Sequence, residues 1–162
     1  MYLIWVIATF GMLAGAYALV SSEAASSVSS ASSPSAMTLA MNMSQYRQAV
    51  LMYAGANPAF SGSVSPTNLR PYLGASHPNP IWNNYVVPNV GYTGSLVVVY
   101  ASSKADPQVT LDIEQLAQGS ALAGAAFNNT VVSPGNAAVP LPAALAGSVP
   151  NGVPVWMAQA YE

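Results

Sequence analysis

The 162-residue chain has no cysteine, one histidine, three Lys or Arg and five Asp or Glu. Without cysteine, neither a disulfide framework nor a thiolate metal site can form, and the redox compartment is left open. Three scattered cations and a formal net charge of −2 cannot neutralise a run of phosphates, which excludes nucleic acid as a main partner. Only 5% of the side chains are charged, against about 25% in an ordinary soluble domain. Ionic chemistry has little to work with, whereas 52% hydrophobic residues are ample for a core. Glycine-rich phosphate loops are missing as well: there is no Gly-x-x-x-x-Gly-Lys, and no Gly-x-Gly-x-x-Gly follows a strand.

The remaining chemical candidates are thin. His77 stands in Ser76-His77-Pro78, and a catalytic triad would need Asp106 or Asp112 beside it plus an activated serine. No serine carries the flanking glycines of a nucleophile elbow. Asp112 and Glu114 are two residues apart and diverge on a helix, so they make no acid/base dyad. Met37, Met41 and Met43 could offer thioethers to Cu(I), but at one-turn spacing methionines more often fill apolar interfaces. Asn128-Asn129-Thr130 matches a glycosylation acceptor, and a hairpin turn explains the asparagines equally well. No catalytic, cofactor-binding or metal-ligating residue is assigned, and the chain is expected not to be an enzyme.

What is present points to a location. Met1 to Val20 carries no charged side chain, and twenty residues at about 1.5 Å rise span about 30 Å, the thickness of a bilayer's hydrocarbon core. Leu3, Ile4, Trp5, Val6, Ile7, Phe10, Leu13 and Leu19 are spread all round such a helix and are expected to be the membrane anchor. Gly11-x-x-x-Gly15 is a helix-pairing pattern, which makes a second copy a candidate partner beside the lipid bilayer. The α-amino group before the span and Glu23 after it favour the N-terminus inside and the remainder outside. Ala16-Tyr17-Ala18 also has the small-x-small form that signal peptidase accepts, so a secreted or fibre-incorporated binding protein released after Ala18 is the alternative.

Residues 21 to 36, SSEAASSVSSASSPSA, form a low-complexity tether that can bury almost nothing. Residues 37 to 162 are expected to be a small α+β domain: one mainly antiparallel sheet with two helices packed on it. The first helix lies between Met37 and Gly55, with Met43, Tyr46, Val50, Tyr53 and Ala54 on one face and Arg47 and Gln48 on the wetter side. Tyr46, Val50 and Tyr53 are core residues by default and candidate interface residues otherwise. Ala59 to Val90 reads as loops with one or two short irregular elements. Gly91 to Ala101 holds the strongest strand, Leu96 to Tyr100.

Asp106 as N-cap and Pro107 as first residue open a second helix with Val109, Ile113 and Leu116 on its face, although Val109, Leu111 and Ile113 also fit strand alternation. Asn128-Asn129 joins a hairpin, a loop from Leu141 to Pro150 contains one helical turn, and Val153 to Ala160 is the closing strand. Trp82 and Trp156 are expected in the core.

The order of segments resembles a known family. An apolar N-terminal helix is followed by Tyr46-Arg47-Gln48-Ala49-Val50-Leu51-Met52-Tyr53-Ala54, Ala56-Asn57-Pro58 and Gly62. Leu69 to Leu73, Pro80-Ile81-Trp82-Asn83-Asn84, a Val-rich strand, and Leu141-Pro142 before Val149-Pro150 complete it. This is similar to the PilM family of conjugative-plasmid thin pili and related type IVb systems, and not to the actin-like ATPase that shares the short name. The resemblance implies a small inner-membrane protein of the bacterial pilus base or pilin transport apparatus, and the flanks of the N-terminal span make it an expected single pass with its C-terminal domain in the periplasm. Its partners would be other pilus or secretion machinery proteins, pilin among them, and it would have no cofactor and no catalytic residues.

Overall fold

The structure, a computed structural model, describes residues 34–161. The expected membrane anchor and the tether up to residue 33 lie outside the described residues. Among those described, no helix is long and apolar enough to cross a membrane.

The folded part is α+β, with three helices, one short 3-10 turn and a single antiparallel sheet of six strands. In chain order these are α1 (Pro34–Ala56), α2 (Pro66–Leu73), β1 (Trp82–Pro88), β2 (Ser95–Ala101), α3 (Pro107–Leu116), β3 (Ala123–Phe127), β4 (Thr130–Val132), β5 (Val139–Pro140), the 3-10 turn (Ala143–Leu145) and β6 (Pro154–Ala160). The sheet order is β1-β2-β6-β3-β4-β5, so the last strand in sequence is a central one in space. Pro154 to Met157 on β6 are all buried, as a strand paired on both sides requires.

Register assigns the faces. Trp82, Asn84 and Val86 of β1 stand beside Ala101, Val99 and Val97 of β2, and Val99 stands beside Trp156 of β6. Side chains alternate across a strand, so these residues share one face. On this face α1 lies across β1, β2 and β6, α3 packs beside α1 and over β3 and β6, and α2 leans on α1.

The buried stripe of α1 runs Ala36, Ala40, Met43, Tyr46, Val50 and Ala54, a spacing of three and four that keeps one side of a helix inward. Its alanines let the backbone approach the sheet closely. Asn57 closes the helix by donating its side-chain amide to the Tyr53 carbonyl at 2.9 Å, so the stop is made by Asn57 rather than by Gly55, which is still helical. Tyr53 packs edge-on against both Phe60 and Tyr72, tying the end of α1 to α2.

Several expectations need correcting. The first helix begins at Pro34, and Ala36, read as tether, is buried. Ala59 to Val90, expected to be mostly loop, contains the helix α2 and the full-length strand β1, which brings the helices to three. Ser65 caps α2 by accepting from the Asn68 N–H, Pro66 occupies its first turn, and Gly74 ends it with φ 58°. Pro71 within it hid the helix, because an interior proline ordinarily breaks one. The helical reading of 107–116 holds and the strand alternative fails: Val109 and Ile113, four apart, are buried, while Leu111 is 46% exposed. Leu116 sits at the rim, 38% exposed, rather than on the buried face. Arg47 is not on the wetter side of α1, for its guanidinium lies over the Trp156 ring, 3.9 Å from the centroid.

Candidate functional site

Two side chains one turn apart on α1, Asn42 and Tyr46, hold the chain between residues 77 and 84 against the helix. The Asn42 Oδ1 accepts from the Asn79 backbone N–H at 2.7 Å and from the Trp82 indole N–H at 3.0 Å, while its Nδ2 donates to the His77 carbonyl at 2.9 Å. Tyr46 Oη accepts from Asn84 Nδ2 at 2.6 Å. Asn84 is almost fully buried and every polar atom of its side chain is used: Nδ2 also donates to the Val64 carbonyl at 3.0 Å and Oδ1 accepts from the Val64 N–H at 2.7 Å. Ser63 Oγ donates to the Asn84 carbonyl, and Gly62 bridges Val86 in both directions at 2.9 Å. The segment 62–64 therefore covers the outer edge of β1, which would otherwise offer unpaired backbone groups. Burial pushes the Tyr46 hydroxyl pKa up and the nearby Tyr100 adds to that, while the bond to Asn84 pulls the other way.

Beside this clamp is a cleft of about 540 Å³ between α2, β1 and the 78–80 loop, lined by Tyr46, Ser63, Leu69, Pro78, Pro80 and Trp82 among others. None of its lining residues is charged. Such a surface suits apolar groups and neutral amides, as in a protein segment, better than an ionic ligand.

A second opening, about 410 Å³, lies where α1, the end of α3 and β6 meet, and Arg47 lines it. The Arg47 Nε is enclosed without a hydrogen-bond partner, and burial lowers the pKa of the group. Among the described residues Arg47 makes no ion pair. Its cation rests on the face of Trp156, a contact worth about 0.5–2 kcal/mol.

The residues singled out in the sequence are dispersed. Val50 is fully buried, Tyr46 nearly so and Tyr53 partly, so the three serve the core. His77 borders an open hollow with Ser35, Thr38, Leu39, Asn42 and Asn79. Asp106 is occupied as the cap of α3, accepting from the Gln108 N–H at 2.9 Å, and Asp112 is buried and accepts from Gln108 Nε2 at 3.1 Å. Burial raises the Glu114 pKa. Met43 is fully buried whereas Met41 is half exposed, so the methionine cluster points in two directions. Among the described residues no three His, Asp or Glu side chains gather as metal ligands. Asn84 and Arg47 were the residues that sequence reasoning missed. In sequence Asn84 merely ends Pro80-Ile81-Trp82-Asn83-Asn84, with nothing to mark its role, and Arg47 reads as an ordinary solvated cation.

The comparisons with known proteins agree with this architecture. The fold matches the crystal structure of a protein designated PilM from Escherichia coli B7A, with a TM-score of 0.51 and 18% identity over 76% of this chain and 91% of that one. At that identity the likeness is one of fold. No curated protein matches the chain. The model of the PilM family matches residues 8–157, nearly the whole sequence and both sides of the Ser/Ala-rich stretch. This chain belongs to the PilM family.

Proposed function

We propose that the protein is a non-enzymatic structural component of a type IVb or conjugative pilus machine. Anchored in the bacterial inner membrane by residues 1–20, it displays residues 37–162 in the periplasm and acts by contact with other pilus or secretion proteins, pilin among them. Membership of the PilM family carries this reading, because it supplies the pilus context and its match, from residue 8 to 157, takes in much of the apolar segment together with most of the folded part. Composition supports it: an uncharged cleft and 5% charged side chains suit burial against other proteins. An anchor confines partners to two dimensions and so raises their effective concentration.

The test is made on the protein from its native host. Retention in the membrane fraction after an alkaline wash, with an intact mass that includes residues 1–18, is the expected result. Release into the wash, or loss of those residues, overturns the anchored reading in favour of a secreted protein. His77→Ala, Asp106→Ala and Asp112→Asn should each leave pilus assembly intact, and lost assembly in a variant that still folds would count for an enzyme.

A further inference from the structure

The Arg47 opening lies beside a break in the sheet. β3 pairs with β6 only from Ala123↔Trp156 to Ala125↔Pro154, and the last bond on that side runs from the Met157 N–H to the Leu122 carbonyl at 2.7 Å. Beyond it the chain leaves the sheet through Gln118 and Gly119, with φ of 55° and 70°. On its other side β6 stays paired with β2 as far as Ser95↔Ala160. Strand groups point alternately to the two sides, so the N–H and C=O of Gln159 face the same way as those of Met157, where no strand of the described residues follows. Gln159 at the end of this edge, the Arg47 guanidinium, and the apolar walls Leu116 and Leu122 all border the same opening.

We propose that this notch accepts an extended segment of a partner protein that adds a short strand to the free edge of β6 and brings an Asp or Glu carboxylate to Arg47. Two independent needs meet in such a ligand. An unpaired edge is completed by another backbone, the mode of strand addition used in peptide recognition. The Arg47 guanidinium stands over the Trp156 indole, 3.9 Å from its centroid, and lines the opening, and the planar group that matches a guanidinium with two hydrogen bonds is a carboxylate. A cation held partly out of water, with no ion pair among the described residues, costs folding energy, and an incoming carboxylate offsets that cost on binding. The inference rests on the proposed role in protein contact and names the site and chemistry of one such contact.

The experiment uses the full chain in its native host, with a photo-crosslinking p-benzoylphenylalanine in place of Leu116 in the notch, or of Asn83 at the uncharged cleft. Mass spectrometry of the adduct identifies the captured segment. The expected result is a pilus or secretion protein joined at position 116 through a segment containing Asp or Glu, with the yield falling at least tenfold in Arg47→Met. Gln118→Glu, which places a competing carboxylate at the mouth of the notch, keeps the test valid should Arg47→Met fail to fold, and the same loss is expected from it. An unchanged yield in both variants, or a captured segment without an acidic residue, overturns the proposal. Capture at position 83 but none at 116 also overturns it and leaves the wider role in place. Capture at neither position, with normal pilus assembly when the gene is deleted, removes the wider role too.

Discussion

Asn84 shows how one polar residue decides a local structure. It stands on the inward face of β1, and its side chain satisfies the Val64 N–H and C=O and the Tyr46 hydroxyl. Asn84→Ala leaves those groups buried and unpaired, and the expected loss is about 2–4 kcal/mol, read from urea denaturation followed by tryptophan fluorescence. Tyr46→Phe removes one of the bonds and should cost about 1 kcal/mol by the same measurement. Arg47 behaves oppositely. It has a partly buried charge, an enclosed Nε and, among the described residues, no carboxylate partner, so Arg47→Met should leave the urea midpoint unchanged or raise it. A marked fall would show that the stack on Trp156 outweighs the desolvation of the cation.

Neither residue's role was legible in sequence. An asparagine in a strand-like run argues against burial, and an arginine between Tyr46 and Gln48 gives no hint of the tryptophan it covers, because that tryptophan arrives from the far end of the chain.

At the scale of elements, the β3–β4 hairpin rests on backbone conformations open to few residues. Asn128 and Asn129 have φ of 47° and 61°, the primed turn that two-residue hairpins favour, and asparagine reaches this region at low cost. Asn129 Oδ1 also accepts from the Gly147 N–H at 2.9 Å, drawing the 3-10 segment onto the hairpin tip. Gly124 lies against β4, and a Cβ there would overlap the Val132 carbonyl. Gly124→Ala should therefore cost at least about 2 kcal/mol, visible as a lower thermal midpoint. Asn129→Ala, which loses both the turn preference and the bond to Gly147, should cost about 1–2 kcal/mol. This hairpin was legible because its signals are local, as were the Asp106-Pro107 start of α3 and the valine run of β2. The helix α2 was not, although Ser65-Pro66 and Gly74 mark its two ends, because Pro71 contradicts them from the middle.

At the scale of the molecule, the scarcity of charge makes pH dependence a matter of a few groups. Burial raises the pKa of Tyr46 and Tyr100, so the folded state holds those protons more tightly than the unfolded chain. Their contribution is complete below the unfolded pKa of 10.0 and is lost as pH rises through the folded values. The urea midpoint of the parent should accordingly fall above pH 10, and Tyr46→Phe should flatten that fall. Glu114, also raised by burial, has the same sign in the acid range: its ionisation works against folding, so stability is lost as pH rises through its folded pKa. Glu114→Gln should be slightly more stable than the parent at pH 7, with the difference vanishing as the pH is lowered past the unfolded carboxyl pKa near 4.5. The effect is small because this carboxyl is only partly buried.

The amino-acid sequence alone decided the class of the protein. Periodicity, caps and turn residues act over a few positions, and they suffice for α1, α3, β2, the Asn128-Asn129 hairpin and an α+β domain with Trp82 and Trp156 inside. Only the tertiary structure decided that the final strand enters the middle of the sheet, that residues 62–64 seal the edge of β1, and that Arg47 stands over Trp156. Each of these joins residues remote in the chain, and a contact whose stability comes from burial between distant segments leaves no trace in the local pattern of either one.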